Sequence, residues 1–363
     1  MVAAATHRPV SLAFLHPIAW PNDPDISTNL RLGIFYGRVA EVRGLDFTAV
    51  VARTDENFRG LQLAGVHSWT GGSFRGFGAT AGVNVVGGDA RGLQFAGLVN
   101  FDRRNFRGIQ AATLLNHVQG QAAAVQLSSI LNICDGDARW LQLSSILNAA
   151  GGSLTGVQAS AVNFVIGRLE GVQLGFGNSA GDVGGAQVGF ANFAGHVRGT
   201  QIGLWNQSRR MDGVPVGVVN LATENGSHDW VAYLSNYAAF NIGVRTTVSG
   251  WSSMFTLGAD DLEEERGDTV FFGWHFGQMY DRGPNWRLGA DLGFLHVIPR
   301  PSDEPGVNDD LHFAIEPRVL VERVMGPKWH LFVGAGMTAI ASEYSSDATV
   351  DYIPLGVVGV ALE

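Results

Sequence analysis

Three octapeptides decide the fold: GVQLGFGN at 171–178, GAQVGFAN at 185–192 and GTQIGLWN at 199–206. In the first, Val172, Leu174 and Phe176 alternate with Gln173, Gly175 and Gly177, the two-residue period of a β-strand. The unit recurs on both sides, and recurrence at a fixed step marks a repeat architecture. Its glycine slot falls at Gly44, Gly60, Gly76, Gly92, Gly108, Ala124, Trp140 and Gly156, a step of sixteen residues, then at Gly171, Gly185, Gly199 and Gly213. That makes twelve repeats.

Glutamine follows the slot by two residues at Gln62, Gln94, Gln110, Gln126, Gln142, Gln158, Gln173, Gln187 and Gln201. Asparagine recurs at Asn84, Asn100, Asn116, Asn132, Asn148, Asn163 and onward to Asn220. Two stackings suit such a repeat. In a β-solenoid each repeat is one coil and identical side chains stack about 4.8 Å apart. Glutamines such as Gln94, Gln110, Gln126, Gln142 and Gln158, and asparagines such as Asn100, Asn116, Asn132 and Asn148, then form structural ladders in which each buried amide bonds the next. Glycine and asparagine also suit corners that need left-handed residues. The rival is a single large antiparallel outer-membrane barrel, whose repeat would be a hairpin with alternating short and long links. Every link here looks alike, so the sequence predicts the solenoid.

The last third reads differently. Candidate strands run 240–248, 252–259, 270–280, 286–298, 311–323, 329–341 and 352–362. In the fourth, Trp286, Leu288, Ala290, Leu292 and Phe294 share one face, against Arg287, Gly289, Asp291 and Gly293. The fifth repeats the pattern, with Val319 and Val321 opposed to Glu316, Arg318 and Glu322. Links 249–251, 281–285 and 324–328 are short, whereas 260–269, 299–310 and 342–351 are longer and acidic. Short turns at one rim and long loops at the other predict a small eight-stranded outer-membrane-type barrel; a soluble sandwich uses the same alternation. The eighth strand comes either from 230–237 or from 9–20, and the second choice makes the solenoid an insertion displayed at the cell surface. The domain reading is thus 1–29 with a candidate barrel strand, 30–222 as solenoid, and 223–363 as barrel.

Composition narrows the function. Of 363 residues 49 are glycine and 16% are charged, against 46% hydrophobic, which is unlike a disordered chain. The net charge of −9 argues against nucleic acid as a partner. Cys134 is the single cysteine, and no CxxC or HxxxH spacing predicts a metal. No cofactor motif, GxSxG elbow or phosphate loop occurs. The N-terminus lacks the basic head and apolar run of a signal peptide. Repeat carboxylates such as Asp55, Glu56, Asp102 and Glu170 read as solvated turn residues. Glycosidic chemistry needs two carboxylates flanking one bond, and the acidic slots of adjacent coils do not supply them, so a non-enzymatic protein is expected. In the barrel, Arg245, Arg287, Asp291, Glu316, Arg318 and Glu322 are expected to fill the lumen, with His275, His312 and His330 nearby. The acidic run Asp260, Asp261, Glu263, Glu264 and Glu265 reads as a solvated loop.

The GxQxGxxN units resemble those of a bacterial surface repeat-containing family found in spirochaetes, over about residues 30–222. The resemblance implies surface or envelope association and nothing about mechanism. The first units depart from it, with Asp46 and Gly78 in the glutamine slot.

One binding site follows from register. Arg43, Arg59, Arg75, Arg91 and Arg107 precede five consecutive glycine slots, with Arg139 two repeats later. Stacked guanidinium groups repel by about 1 kcal/mol per pair even in water, and the planar fork suits phosphate and carboxylate. The expected protein is therefore a cell-envelope repeat protein, at the outer membrane or cell surface, binding an acidic polysaccharide or lipopolysaccharide through this column. The alternative is a soluble periplasmic or secreted scaffold.

Overall fold

The computed structural model describes residues 5–236, 239–260, 269–299, 312–344 and 347–363. The protein is all-β, with a parallel solenoid of about fourteen turns and a closed eight-stranded antiparallel barrel. A single large antiparallel barrel is excluded, because the repeat strands pair in parallel. The chain forms two compact units, Met1–Phe190 and Ala191–Glu363.

In the first unit each sixteen-residue coil contributes two strands, such as Phe58–Ala64 and His67–Thr70. A two-residue corner joins them, and a three-residue corner leads to the next coil. Strands pair with their counterparts one coil away in the register read from sequence, sixteen residues where Gln94 opposes Gln110 and Asn100 opposes Asn116, and fifteen where Gln158 opposes Gln173. Two coils precede the first repeat. Ile26–Val39 forms one, and Val10–Leu15 pairs parallel to it, opposing Leu30 and Leu32. Residues 9–20 are therefore solenoid, not a barrel strand, and with them the expected twelve coils become about fourteen.

In the sixteen-residue repeats the slot glycines are not at corners, whereas Gly185, Gly199 and Gly213 of the shorter repeats lie in bends just before a strand. Gly60, Gly76, Gly92 and Gly108 occupy the third position of the long strand, with φ of 140°, 140°, 132° and 138°. Side chains rarely adopt that conformation, and a Cβ at Gly76 would meet the carbonyl oxygen of Gly60 one coil away. Trp140 fills the slot with φ of 84°.

Inside the coils run two amide ladders of opposite polarity. Gln110 donates from Nε2 to Oε1 of Gln94 at 2.9 Å, Gln126 to Gln110 at 2.9 Å, Gln142 to Gln126 at 2.8 Å and Gln158 to Gln142 at 2.7 Å. These amide N–H groups all point toward the N-terminal coils. The asparagines point the other way: Asn100 donates to Asn116 at 2.9 Å, Asn116 to Asn132 at 2.9 Å and Asn132 to Asn148 at 3.0 Å. Opposed rows of aligned amide dipoles offset one another along the stack. The second N–H of each asparagine reaches a main-chain carbonyl, as in Asn116 to Leu127 at 2.7 Å. This satisfies groups that would each cost about 1–3 kcal/mol if buried unpaired.

A glutamine ladder must end, at its N-terminal side, on an amide donor with no glutamine to receive it. Both such ends meet a carboxylate. Gln62 donates to Asp46 at 2.9 Å, and Asp46 is paired with Arg31, both fully buried. At Gly78 the column is interrupted, and the Phe74 ring, stacked on Phe58 at 5.2 Å, occupies the space. The ladder restarts at Gln94, which donates to Asp102 at 3.2 Å.

In the second unit, eight strands close a barrel: Gly226–Ser235, Phe240–Val248, Trp251–Asp260, Thr269–Asp281, Trp286–Pro299, His312–Val324, Trp329–Tyr344 and Asp347–Leu362. The seven sequence-read strands are recovered. The eighth is the segment adjacent in sequence, and Trp230 opposite Leu362 closes the ring. The expected loop 342–351 is mostly strand, since Tyr344 already opposes Asp347. The acidic run 261–265 lies outside the described residues.

Candidate functional site

The structure brings the predicted arginines into one column. Arg43 opposes Arg59, Arg59 opposes Arg75, Arg75 opposes Arg91, and Arg91 opposes Arg107. The next position is Ala123, and Arg139 follows it. Each arginine is exposed, because position two of the long strand points outward while Phe58, Phe74 and Phe106 at position one point in. Arg43 pairs with Glu41 at 2.8 Å, and the hydrogen bond and charge of Glu41 raise its pKa further. For Arg59, Arg75, Arg91, Arg107 and Arg139, no described carboxylate lies within ion-pair distance.

The acids that sequence alone offers as partners are engaged elsewhere. Asp55 binds Arg38 at 2.7 Å and Arg53 at 2.6 Å. Asp89 turns toward its corner, accepting from the Asn105 side-chain amide at 3.1 Å. The same corner arrangement recurs where Asn57 caps the Ser73 N–H at 2.9 Å and Asn105 caps that of Gln121 at 2.9 Å. Short polar side chains at corners favour such local bonds to backbone. The result is a groove of about 410 Å³ lined by Ser73, Arg75, Asp89, Arg91, Asn105 and Arg107. Its chemistry is a row of exposed guanidinium donors beside amides and the Asp89 carboxylate.

Asp102 is a correction. It is not a turn residue: it ends the strand Val99–Asp102 and is 1% exposed. Burial pushes its carboxyl up to about 7, against the opposing hydrogen bonds from Gln94 and Gln110. Unlike Asp46 it has no ion-pair partner among the described residues. The signal was present in the sequence, since Asp102 stands two residues after the inward Asn100 and shares its face. Cys134 occupies the same inward column, with burial pushing its thiol up to about 11.

Inside the barrel the expected lumen residues form two groups. Arg245 binds Asp229 at 2.8 Å and Glu322 at 2.5 Å, and Glu322 also meets Arg287 at 3.2 Å and lies 3.0 Å from Nδ1 of His330. Arg318 binds Asp291 at 2.8 Å, while Thr338 donates to Glu316 at 2.9 Å. His275 is buried on the same inner face, and the His312 side chain lies outside the described residues. Asp229 was the member missed by sequence reading, because its strand was placed four residues late. Val231, Tyr233, Leu320 and Phe332 pack the rest of the interior. The outer wall carries Ile242, Leu257, Phe272, Leu292, Phe294 and Val333, all exposed.

No family model and no curated protein matches this chain. Among solved structures it is similar to the outer membrane protein AlkL, determined by solid-state NMR in lipid bilayers. The identity is 10%, the match covers 38% of this chain and 86% of that chain, and the TM-score is 0.22.

Proposed function

We propose that this chain is a non-catalytic cell-envelope protein whose barrel inserts into an outer-membrane-type bilayer and whose solenoid holds an acidic polysaccharide along its arginine column. The membrane reading rests on inverted polarity. Ion pairs and buried carboxylates lie inside a closed barrel, and a continuous apolar wall lies outside, as a lipid solvent requires. The spirochaete surface-repeat resemblance agrees with an envelope location.

The barrel begins at Gly226, opposite Val248, and ends with Leu362 opposite Trp230 and Trp329, so both ends lie at the rim of the short turns. In outer-membrane barrels that rim faces the periplasm. The solenoid then joins on the inner side and is not displayed from an outer loop.

The single observation that carries the binding role is the in-register run of exposed arginines, four consecutive members of which have no acidic partner among the described residues. Self-repulsion along the column is relieved when a polyanion lies on it. Changing Arg59, Arg75 and Arg91 together to Gln should abolish salt-sensitive retention on an immobilised acidic glycan while leaving the fold intact. Retention equal to that of the parent would reject the site.

A further inference from the structure

The sixteen-residue repeats leave a bare track on the long strand. Position two carries the arginines and position four carries Leu61, Phe77, Leu93 and Ile109, while position three between them is Gly60, Gly76, Gly92 and Gly108. From Gly44 to Gly108 no side chain stands on that track for five coils. In the next coil the slot holds Ala124, whose methyl is 1% exposed and so turned inward. One coil further on the slot holds Trp140.

Packing does not account for this residue. Strand alternation points position three inward, where Ala124 fills the space with a methyl. Trp140 instead adopts φ of 84° and is 49% exposed, so its indole stands on the outer face. A left-handed backbone is unfavourable for a bulky residue, and a half-exposed ring recovers little of that by burial. Its partners in register, Ala124 and Gly156, put no side chain beside it on the outer face. Among the described residues no aromatic ring or guanidinium stacks on the indole, and its N–H has no acceptor. Strain kept where burial returns little is a feature of binding sites.

The surroundings indicate what would bind. The groove lined by Arg75, Arg91 and Arg107 runs on to Gln121 and Ala123, in the coil directly before Trp140. At Ala123 the arginine column lacks a member. Between Arg107 and Arg139, two coils or roughly 10 Å apart, only a methyl stands at position two. A polymer held by the arginines therefore reaches a gap in the charge beside an exposed aromatic face. A sugar ring suits such a face, because its C–H groups form an apolar, slightly positive surface that meets the negative face of the π system. Coils rise by about 4.8 Å, comparable to the length of one sugar residue, so a glycan on the track presents about one ring per coil.

We infer that Trp140 stacks on a sugar ring of the polymer lying along the arginine column, which makes the ligand a glycan and not any other polyanion. The inference rests on the reading of that column as a polyanion site. The two contacts divide the recognition between them. Guanidinium groups attract negative charge at a distance and with little regard to what carries it, whereas the indole gains only from a ring laid against it.

The test compares two immobilised polyanions: polygalacturonate, in which every unit is a sugar ring, and inorganic polyphosphate, which has none. Affinity of the detergent-solubilised full chain is measured from low to high salt for the parent, Trp140→Gly, Trp140→Phe and the variant with Arg59, Arg75 and Arg91 all changed to Gln. Trp140→Gly restores the residue that the slot favours, so its melting temperature should stay at or above the parent's and weaker binding cannot be put down to unfolding. It should bind polygalacturonate about 3- to 10-fold more weakly, with the parent's salt dependence because no charge is lost, and bind polyphosphate as the parent does. Trp140→Phe should keep most of the parent's affinity for both. Parental affinity of Trp140→Gly for polygalacturonate, with retention lost in the triple arginine variant, overturns the inference and leaves the column standing. An equal loss on polyphosphate in Trp140→Gly also overturns it, since stacking on a sugar cannot matter to a polymer without one. Parental binding of both polymers by the triple arginine variant would show that the column is not the polyanion site, and the inference falls with it.

Discussion

Replacing Gln142 by leucine tests whether the interior amides hold the coils together. Gln142 is 2% exposed and stands mid-ladder. The change leaves Oε1 of Gln126 without its donor at 2.8 Å and Nε2 of Gln158 without its acceptor at 2.7 Å, although Gln158 keeps a long contact of 3.5 Å to the Phe164 carbonyl. Each orphaned group costs about 1–3 kcal/mol, and the leucine recovers about 1–2 kcal/mol by burying apolar surface in place of an amide. The net expectation is a destabilisation of about 1–4 kcal/mol.

Coils interact with their neighbours, so the loss should be local. Hydrogen exchange read by mass spectrometry on the detergent-solubilised chain is the suitable assay. Protection of the strands at 122–128, 138–143 and 154–159 should fall by roughly 5- to 1,000-fold, at tenfold per 1.4 kcal/mol, and that of the barrel strands should not change. Leu141→Gln, on the outward face of the same strand, serves as the control. Unaltered protection in Gln142→Leu would mean that water reaches the amides and the ladder contributes nothing.

Three further outcomes are expected. Asp102 has a folded-state carboxyl raised to about 7 from an unfolded value near 3.9, so the folded state binds the extra proton and stability falls as pH rises from about 4 to about 7; the span corresponds to about 4 kcal/mol, and Asp102→Asn should flatten the profile in denaturant titrations across that range. Arg31→Met removes one partner of a fully buried pair and strands Asp46, so it should destabilise the N-terminal coils by about 3–5 kcal/mol, seen as early melting or proteolysis before residue 60. Trp140→Gly relieves a left-handed residue at φ 84° and should stabilise by about 1 kcal/mol in thermal melts, whereas Gly108→Ala, at φ 138° with the Gly92 carbonyl in its way, should destabilise by more than that.

The repeat was legible because a parallel solenoid copies register into sequence: a column such as Arg59, Arg75 and Arg91 shows as a constant sixteen-residue step along the chain. The barrel strands were legible for a related reason, the strict alternation of Leu288, Leu292 and Phe294 against Arg287 and Asp291. What stayed hidden were departures from the repeat. Residues 9–20 lack the glycine and glutamine slots yet pair as a coil, through backbone bonds to the next strand and inward small residues such as Ser11 and Ala13. Asp46 was visible as a mismatch, but its meaning required Arg31, fifteen residues earlier and in a segment without the repeat. The arginine column was located by spacing alone. That Asp55 and Asp89 are engaged elsewhere, leaving the guanidinium groups unpaired, depends on side-chain direction at the corners and could not be counted from sequence.

Membrane fractionation of the full chain, followed by gel electrophoresis with and without boiling, tests the barrel most directly. A lipid-embedded barrel predicts that the protein stays in the membrane fraction through alkaline carbonate, requires detergent for release, and migrates faster unboiled than boiled. Release by carbonate, with one mobility irrespective of heating, would contradict the membrane barrel on which the functional reading stands.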